Sequence, residues 1–183
     1  MKRLLIITGD IAAGKTTFSH ILSNRYGVAS LQKDDLKEIL SDRIGFRDRE
    51  ENRRLSDAAV LVMIHVFGAL AGADGDLILE ANFRGGELEQ LHETAREAGY
   101  RVLSLVLRVD DGVLYERYLN RMTNEGRSPA HLSASLEIWE NFVRYIAEGR
   151  REPVPGDTLP IDASDFSFQS DPGILGEIDR FMR

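Results

Sequence analysis

Residues 9 to 16 constrain the fold of this chain more than any other segment. They read Gly-Asp-Ile-Ala-Ala-Gly-Lys-Thr, a complete G-x-x-x-x-G-K-[ST] phosphate-binding loop. The apolar run at 4–7 predicts a buried strand before the loop, and residues 17–26 predict a helix after it. A loop between a strand and a helix turns successive backbone N–H groups towards phosphate oxygens, at the positive end of the helix dipole. The sequence therefore predicts a binding site for a nucleoside triphosphate.

The positions of this loop have distinct expected roles. Glycine at positions 9 and 14 permits backbone conformations and a close approach that a Cβ atom would prevent. We expect the Lys15 amine to reach the β- and γ-phosphates and the Thr16 hydroxyl to bind Mg²⁺. The Asp10 side chain either points away from the phosphates or faces the place where a second substrate would bind. The predicted nucleotide contacts in the loop are Gly9, Asp10, Ile11, Ala12, Ala13, Gly14, Lys15, Thr16 and Thr17.

The composition is typical of one globular domain, expected to span residues 1–183, with 43% hydrophobic and 29% charged residues. No apolar run of the length of a membrane span is present, and the first residues do not form a secretory leader, so we expect no membrane association. The chain has no cysteine, which excludes disulfides and thiolate chemistry, and a cytoplasmic location is the default expectation. The net charge of −7 argues against broad binding to a nucleic-acid duplex.

Apolar runs alternate with helical periods, which is typical of a parallel sheet covered by helices. Strands are predicted at 3–8, 28–32, 76–80, 101–107 and 158–162, and helices at 15–26, 34–41, 52–72, 86–98, 111–122, 132–148 and 171–182. The helix at 52–72 is apolar almost all round, so we expect it to be buried with His65 in the core. The charged stretch 42–54 is either solvated or a substrate-facing loop in which an arginine or two binds an anion.

Carboxylates are predicted at the carboxyl edge of the sheet, where open α/β sheets bind ligands. Asp34 and Asp35 follow the second strand. One of them is expected to cap the next helix, which leaves the other to accept the proton of an attacking hydroxyl or to bind Mg²⁺ through water. Glu80 ends the third strand in the pattern of the acid that holds Mg²⁺ opposite Thr16. Glu80 is expected to bind Mg²⁺ directly, to bind it through a water molecule, or to contact the substrate hydroxyl instead.

Several arginines are candidate phosphate ligands. Arg117 and Arg121 are four residues apart and share a helix face. Arg127 lies in the polar segment 123–129, which suits a mobile lid that closes on the nucleotide. Together these three arginines are expected to converge on the β- and γ-phosphates, where charge develops during phosphoryl transfer. Arg84, after the third strand, is either a solvated cation or an anion clamp. The other histidines, His20, His92 and His131, have no metal-ligand spacing and receive no role.

At these residues the chain resembles the P-loop kinases of the polynucleotide 5′-kinase, zeta-toxin and chloramphenicol-phosphotransferase group, often described as AAA-type ATPase domains. The resemblance implies an α/β fold of three layers, with a five-stranded parallel sheet in the order 2-3-1-4-5 and a helical lid at about residues 117–131. It implies that Asp34 activates the substrate hydroxyl, that Glu80 replaces the usual Asp, and that the lid arginine is Arg121 or Arg127. The run Arg-Ser-Pro-Ala-His at 127–131 is similar to an Arg-x-Pro-x-His element of the zeta toxins.

The function expected from these residues and from the resemblance is an ATP- and Mg²⁺-dependent kinase acting on a hydroxyl of a small molecule. Its expected catalytic residues are Lys15, Asp34, Arg121 and Arg127, its metal ligands Thr16 and Glu80, its substrate ligands Asp34, Lys37, Glu80 and Arg84, and Arg117 is a further nucleotide ligand.

Two alternatives remain at this stage. A polynucleotide 5′-hydroxyl kinase is less favoured, because Lys37 stands where those enzymes carry an arginine that contacts the substrate phosphate. A nucleotide-binding regulatory protein with little turnover would have no need of Asp34 or of the lid arginines.

Overall fold

A five-stranded parallel sheet forms the centre of the molecule, whose computed structural model describes residues 2–73, 75–84, 86–123, 128–131 and 134–183. The strands are β1 (Lys2–Gly9), β2 (Ala29–Gln32), β3 (Leu77–Glu80), β4 (Tyr100–Arg108) and β5 (Asp157–Asp162). Their order is β2-β3-β1-β4-β5, and every neighbouring pair is parallel. The predicted strands and the expected sheet order are confirmed.

Helices cover both faces of this sheet. They are α1 (Lys15–Tyr26), α2 (Lys33–Ile44), α3 (Arg49–Leu70), α4 (Glu87–Glu97), α5 (Asp111–Met122), α6 (Trp139–Arg150) and α7 (Pro172–Phe181). Alternate residues of β1 enter two separate apolar clusters, because successive side chains of a strand point to opposite faces. Leu5 and Ile7 join the cluster of α1, α5, α6 and α7, whereas Leu4 and Ile6 join that of α3 and α4. The result is the expected three-layer arrangement.

Two predicted helices differ from the structure. The helix predicted at 132–148 begins at Trp139, because residues 134–137 form a 3₁₀ turn and Ile138 is extended. The helix predicted at 52–72 is not buried all round, since α3 packs on the sheet by one side only. Leu61 on its outer side is 59% exposed, and His65 is exposed rather than a core residue.

No helix in the described part of the chain has the length and apolar character needed to cross a membrane.

Gly9 marks the point where β1 passes into the phosphate loop, directly beside β4. Its φ of 119° lies in the region that favours glycine, and a Cβ atom there would be only 2.1 Å from the Leu107 carbonyl oxygen. The next residue, Asp10, donates its backbone N–H to the same oxygen at 2.9 Å. The loop therefore leaves the sheet in a conformation that requires glycine.

Replacing Gly9 by Ala is expected to lower the free energy of unfolding, because the added methyl group collides with the β4 backbone. Gly27→Ala is the matched control: Gly27 also has a positive φ, of 65°, but no atom lies within 4 Å of the position of its missing Cβ. The control should cost only the left-handed backbone strain of about 1–2 kcal/mol, and Gly9→Ala roughly twice that or more. Urea unfolding measures both, and equal losses would contradict the predicted collision.

Candidate functional site

The loop of residues 9–16 joins β1 to α1 as predicted. Ala12 and Gly14 have φ angles of 58° and 88°, which curve the backbone around the first turn of α1. Among the described residues no side chain caps α1, whose N-cap is Gly14, and its first turn holds no acidic residue. The first N–H groups of a helix have no partners within the helix, so this end of α1 suits an anion.

Lys15 and Glu80 are buried at the floor of the loop, at 7% and 4% exposure. The Lys15 Nζ donates to the Asp10 carbonyl oxygen at 2.6 Å. Burial lowers the pKa of Lys15, whereas the nearby Glu80 carboxylate raises it. Burial likewise raises the pKa of Glu80, and Lys15 opposes that shift. Each charge therefore stabilises the other in a place where neither is well solvated.

Thr16 and Glu80 present two oxygen ligands in contact with each other. The Thr16 hydroxyl donates to Glu80 Oε2 at 2.9 Å, as expected of a phosphate loop and the acid that ends β3. Mg²⁺ in phosphotransferases is bound by one or two protein oxygens and is completed by phosphate oxygens and water. The chemistry and the position of this pair fit that type of Mg²⁺ site.

The Asp10 carboxylate points away from the phosphate side of the loop. It accepts hydrogen bonds from the Val109 backbone N–H at 3.0 Å, from Arg108 Nη1 at 3.1 Å and from Arg150 Nη2 at 2.8 Å. Arg150, at the end of α6, also pairs with Asp111 at 2.7 Å. Of the two orientations considered for Asp10, the structure has the one away from the phosphates. The carboxylate joins the loop to β4 and α6.

A cavity of about 300 Å³ opens between the phosphate loop, α2, α3 and residues 128–131. The sequence-predicted site residues that line it are Ile11, Ala12, Ala13, Gly14, Lys15, Thr16, Thr17, Asp34, Lys37, Glu80 and Arg121. Segments that are distant in the sequence therefore meet at one edge of the sheet.

The Asp34–Asp35 pair lies at the start of α2, and its two side chains face different surroundings. This helix begins at Lys33 with Gln32 as its N-cap, so the expectation that one of the two aspartates caps the helix is wrong. Both aspartates lie in its first turn, where a negative charge is favourable. Asp34 lines the cavity, whereas Asp35 is exposed to solvent.

Two of the predicted arginines are held by packing that the sequence did not indicate. Arg117 donates to the carbonyl oxygens of Ala163 and Ser164 at 2.8 and 2.7 Å, and it lies 4.1 Å from the ring centre of Phe166. Arg117 is not among the residues that line the cavity, whereas Arg121 is. Phe166 contacts Gly14, so Arg117 lies near the edge of the loop, and its contact with the nucleotide stays a prediction.

Arg84 lies over the Tyr145 ring, 4.5 Å from its centre, and packs against Gly149. It is partly buried and does not line the cavity described above, and its role as a substrate ligand stays a prediction. Arg127 lies outside the described residues.

His131 received no role from the sequence, yet the structure places it in the cavity beside the predicted base. Its Nε2 is 2.9 Å from Glu38 Oε1, and its Nδ1 is 3.8 Å from Asp34 Oδ1. The imidazole is only 6% exposed. The one available signal was the Arg-Ser-Pro-Ala-His run at 127–131, which ends at this histidine.

The carbonyl of Ala130 fastens residues 128–131 to α2 and α3. It accepts hydrogen bonds from Lys37 Nζ at 2.6 Å and from Asn52 Nδ2 at 3.1 Å. Burial lowers the pKa of Lys37 to about 8. Lys37 thus lines the cavity while its amine holds the segment that carries His131.

A family model described as an AAA domain matches residues 5–141. The chain belongs to the AAA domain family. Its fold is that of the P-loop kinase-like NTPases, as expected from the resemblance.

Solved structures of kinases have a similar fold. A candidate kinase from Chloroflexus aurantiacus is 28% identical, with a TM-score of 0.81 over 100% of this chain and 98% of that one. A sugar kinase from Janibacter sp. is 17% identical, with a TM-score of 0.65 over 98% and 95% of the two chains. A shikimate kinase from Bacteroides thetaiotaomicron is 16% identical, with a TM-score of 0.59 over 97% and 98%. No curated protein matches the chain.

Replacing Asp10 by Asn is expected to destabilise this AAA domain by about 2–4 kcal/mol, because the negative charge is lost and the amide N–H₂ group would face two N–H donors in place of one carboxylate oxygen. It should also weaken nucleotide binding, since the loop loses its attachment to β4 and α6. Urea unfolding and titration with ATP measure the two effects. Asp179→Asn is the control, because it breaks the more exposed pair with Arg25 and should cost much less. Equal losses of stability would show that Asp10 does not anchor the loop.

The stability of the AAA domain should rise with pH through the titration of Lys37. Its pKa is about 8 in the folded chain, against 10.5 for an ordinary lysine. Between these values the unfolded chain binds more protons than the folded chain, so the free energy of unfolding increases with pH. Thermal melts across this range should show the wild type gaining stability relative to Lys37→Met. Lys33→Met removes the same charge from the same helix end and serves as the comparison. A difference between the wild type and Lys37→Met that stays constant with pH would refute the shift.

Proposed function

We propose that this chain is an ATP- and Mg²⁺-dependent kinase that transfers the γ-phosphoryl group to a hydroxyl of a small molecule. The observation that carries the proposal is that Asp34 opens into the same cavity as Lys15, Thr16 and Glu80. A carboxylate that can take up a proton therefore faces the groups suited to hold a triphosphate and its metal. Phosphoryl transfer depends mainly on such positioning and on electrostatic stabilisation.

On the donor side, the phosphate loop and the first turn of α1 would bind the triphosphate, and Thr16 with Glu80 would hold the metal. Mg²⁺, when bound, would neutralise charge on the β- and γ-phosphate oxygens. Lys15 carries its positive charge in a buried place, where charge interactions are stronger than in water. Arg121 lines the same cavity and would stabilise the charge that develops on the transferred group.

On the acceptor side, Asp34 would accept the proton of the attacking hydroxyl. The hydroxyl oxygen bonds to the γ-phosphorus, and the bond from that phosphorus to the departing ADP oxygen breaks. Lys33 Nζ at 3.5 Å and His131 Nδ1 at 3.8 Å flank Asp34 Oδ1 and orient the carboxylate. His131, held by Glu38, would thereby act as a positioning residue.

The proposal covers residues 1–183 as one domain, with residues from about 117 to 131 as its lid. Arg121 at the end of α5 and the contacts of Ala130 with α2 and α3 support that assignment. Consumption of ATP fits a cytoplasmic location. The structural neighbours named as sugar and shikimate kinases support a small acceptor, and the net charge of −7 disfavours a nucleic-acid end.

Replacing Asp34 by Asn is expected to reduce phosphoryl transfer by about 10²–10⁴-fold, because the amide cannot take up the hydroxyl proton. Binding of ATP should stay nearly unchanged, since the donor side is intact. Asp35→Asn is the matched control: it changes the neighbouring carboxylate, which is exposed, and should retain activity. Lys15→Ala should instead abolish stabilisation of the fold by nucleotide in thermal melts.

The measurement is consumption of ATP with a panel of hydroxyl-bearing metabolites and, separately, with a 5′-hydroxyl oligonucleotide. Unchanged turnover in Asp34→Asn would show that Asp34 is not the base. Product formed with the oligonucleotide alone would favour a polynucleotide kinase. Tight binding of ATP without transfer to any acceptor would favour a regulatory protein.

A further inference from the structure

The first two turns of α3 present three polar side chains to the cavity, namely Arg49, Asn52 and Arg53. Residues three and four positions apart lie on one face of a helix, so these side chains form a continuous wall. The wall belongs to the α2–α3 side of the cavity, where Asp34 and Lys37 also lie, and it is separate in the sequence from the phosphate loop.

The arginines in and just before this helix divide into two kinds. Arg47 and Arg54 pair with Glu51 and Glu50 at 2.6 and 2.5 Å, and neither arginine lines the cavity. Arg49, by contrast, donates to a neutral hydroxyl, that of Ser135, at 2.9 Å.

Arg53 is paired only loosely, at 3.8 Å from Asp57, and it is 71% exposed. The positive charges that face the cavity are therefore much less compensated by carboxylates than those that face outwards.

Asn52 adds an unsatisfied hydrogen-bond acceptor to the same wall. Its Nδ2 donates to the Ala130 carbonyl, which fixes the orientation of the amide. Its Oδ1 is buried and has no hydrogen-bond partner among the residues that the structure describes. A buried acceptor without a donor is unfavourable, and a hydroxyl group of a ligand would satisfy it.

The charge balance of the cavity also favours an anionic ligand. Its cationic side chains, Lys15, Lys33, Lys37, Arg49, Arg53 and Arg121, outnumber its carboxylates, Asp34 and Glu80. A bound triphosphate would compensate those near the loop. The cations on α3 remain for the second substrate, although the chain as a whole carries a net charge of −7.

We propose that the acceptor is a small anionic alcohol: its carboxylate or phosphate group binds Arg49 and Arg53, and one of its hydroxyls donates to Asn52 Oδ1. The inference rests on the proposed function and names the substrate class of that site. The anionic group is not changed in the reaction. It holds the acceptor so that a second hydroxyl reaches Asp34. The cavity, of about 300 Å³, has the volume of a small-molecule site.

The test compares acceptors of similar skeleton that differ in charge. D-glycerate, D-gluconate and glycerol 3-phosphate are the anionic probes, and glycerol and D-glucitol are the neutral ones. Consumption of ATP should be at least about 10-fold more efficient, in kcat/KM, with an anionic probe than with its neutral counterpart. The two carboxylates and the phosphate ester show which anionic group the arginines prefer. Equal use of neutral and anionic probes would overturn the inference and leave the kinase function intact.

Arg53→Gln and Arg49→Gln should each raise the KM for the anionic acceptor by about 10-fold while leaving the KM for ATP nearly unchanged. Arg54→Gln is the matched control, because it removes the same charge from the same helix on the side away from the cavity. If Arg54→Gln raises the acceptor KM as much as Arg53→Gln does, general charge rather than the wall explains the effect, and the inference is wrong.

Binding without turnover separates failure of the inference from failure of the function. Thermal melts with the non-hydrolysable analogue AMP-PNP and Mg²⁺ should show added stabilisation by the anionic probes in the wild type and in Arg54→Gln, but not in Arg53→Gln. Binding of this kind without any transfer supports the anion site and refutes the kinase. No response to the anionic probes, with AMP-PNP still bound, refutes the anion site.

Discussion

The attachment of the phosphate loop through Asp10 is the interaction on which the rest of the site depends. A carboxylate within an anion-binding loop would repel phosphate if it faced the cavity. Here it is buried on the opposite side, where two arginines and the Val109 N–H compensate its charge. Arg150 stands at the end of α6, so the same contacts hold the loop, the end of β4 and the helix after residues 134–137 together. The loop is thus held in place by charges on the side that faces away from the cavity.

On the cavity side, burial disfavours the charged forms of Lys15 and Glu80, which are the forms that would bind phosphate and metal. Lys15 and Glu80 both lose solvation, and the pKa of each moves towards its neutral form while the other residue opposes the shift. The Asp10 backbone carbonyl accepts a hydrogen bond from Lys15, and the Thr16 hydroxyl donates one to Glu80, so both buried groups have a hydrogen-bond partner. In the proposed kinase, these buried groups would stabilise phosphate charge electrostatically, which is a main source of catalysis in phosphoryl transfer.

Features that were predicted correctly are those encoded locally. The phosphate loop is a short segment whose glycines and lysine act together, and each strand is an apolar run bounded by polar residues. What the sequence did not indicate are the positions of side chains whose partners are distant in the chain. Arg117 is held by carbonyls at 163 and 164, and His131 and Asn52 gain their places through contacts 93 and 78 residues away in the chain. The apolar residues along α3 did not indicate that only one side of this helix packs on the sheet.

The contrast between net charge and local charge bears on what the cavity can select. A nucleic-acid duplex would experience the acidic surface of the whole chain, because its charges extend beyond one Debye length of about 8 Å. A small anion inside the cavity would experience mainly the nearby arginines and lysines, since concave low-dielectric walls concentrate their field. The start of α3 shows two environments. Glu51 and Glu50 pair closely with Arg47 and Arg54, whereas Arg49 donates to the Ser135 hydroxyl and Arg53 lies 3.8 Å from Asp57. For the proposed kinase, an acidic surface around a cationic cavity would therefore favour a small anion over a nucleic acid.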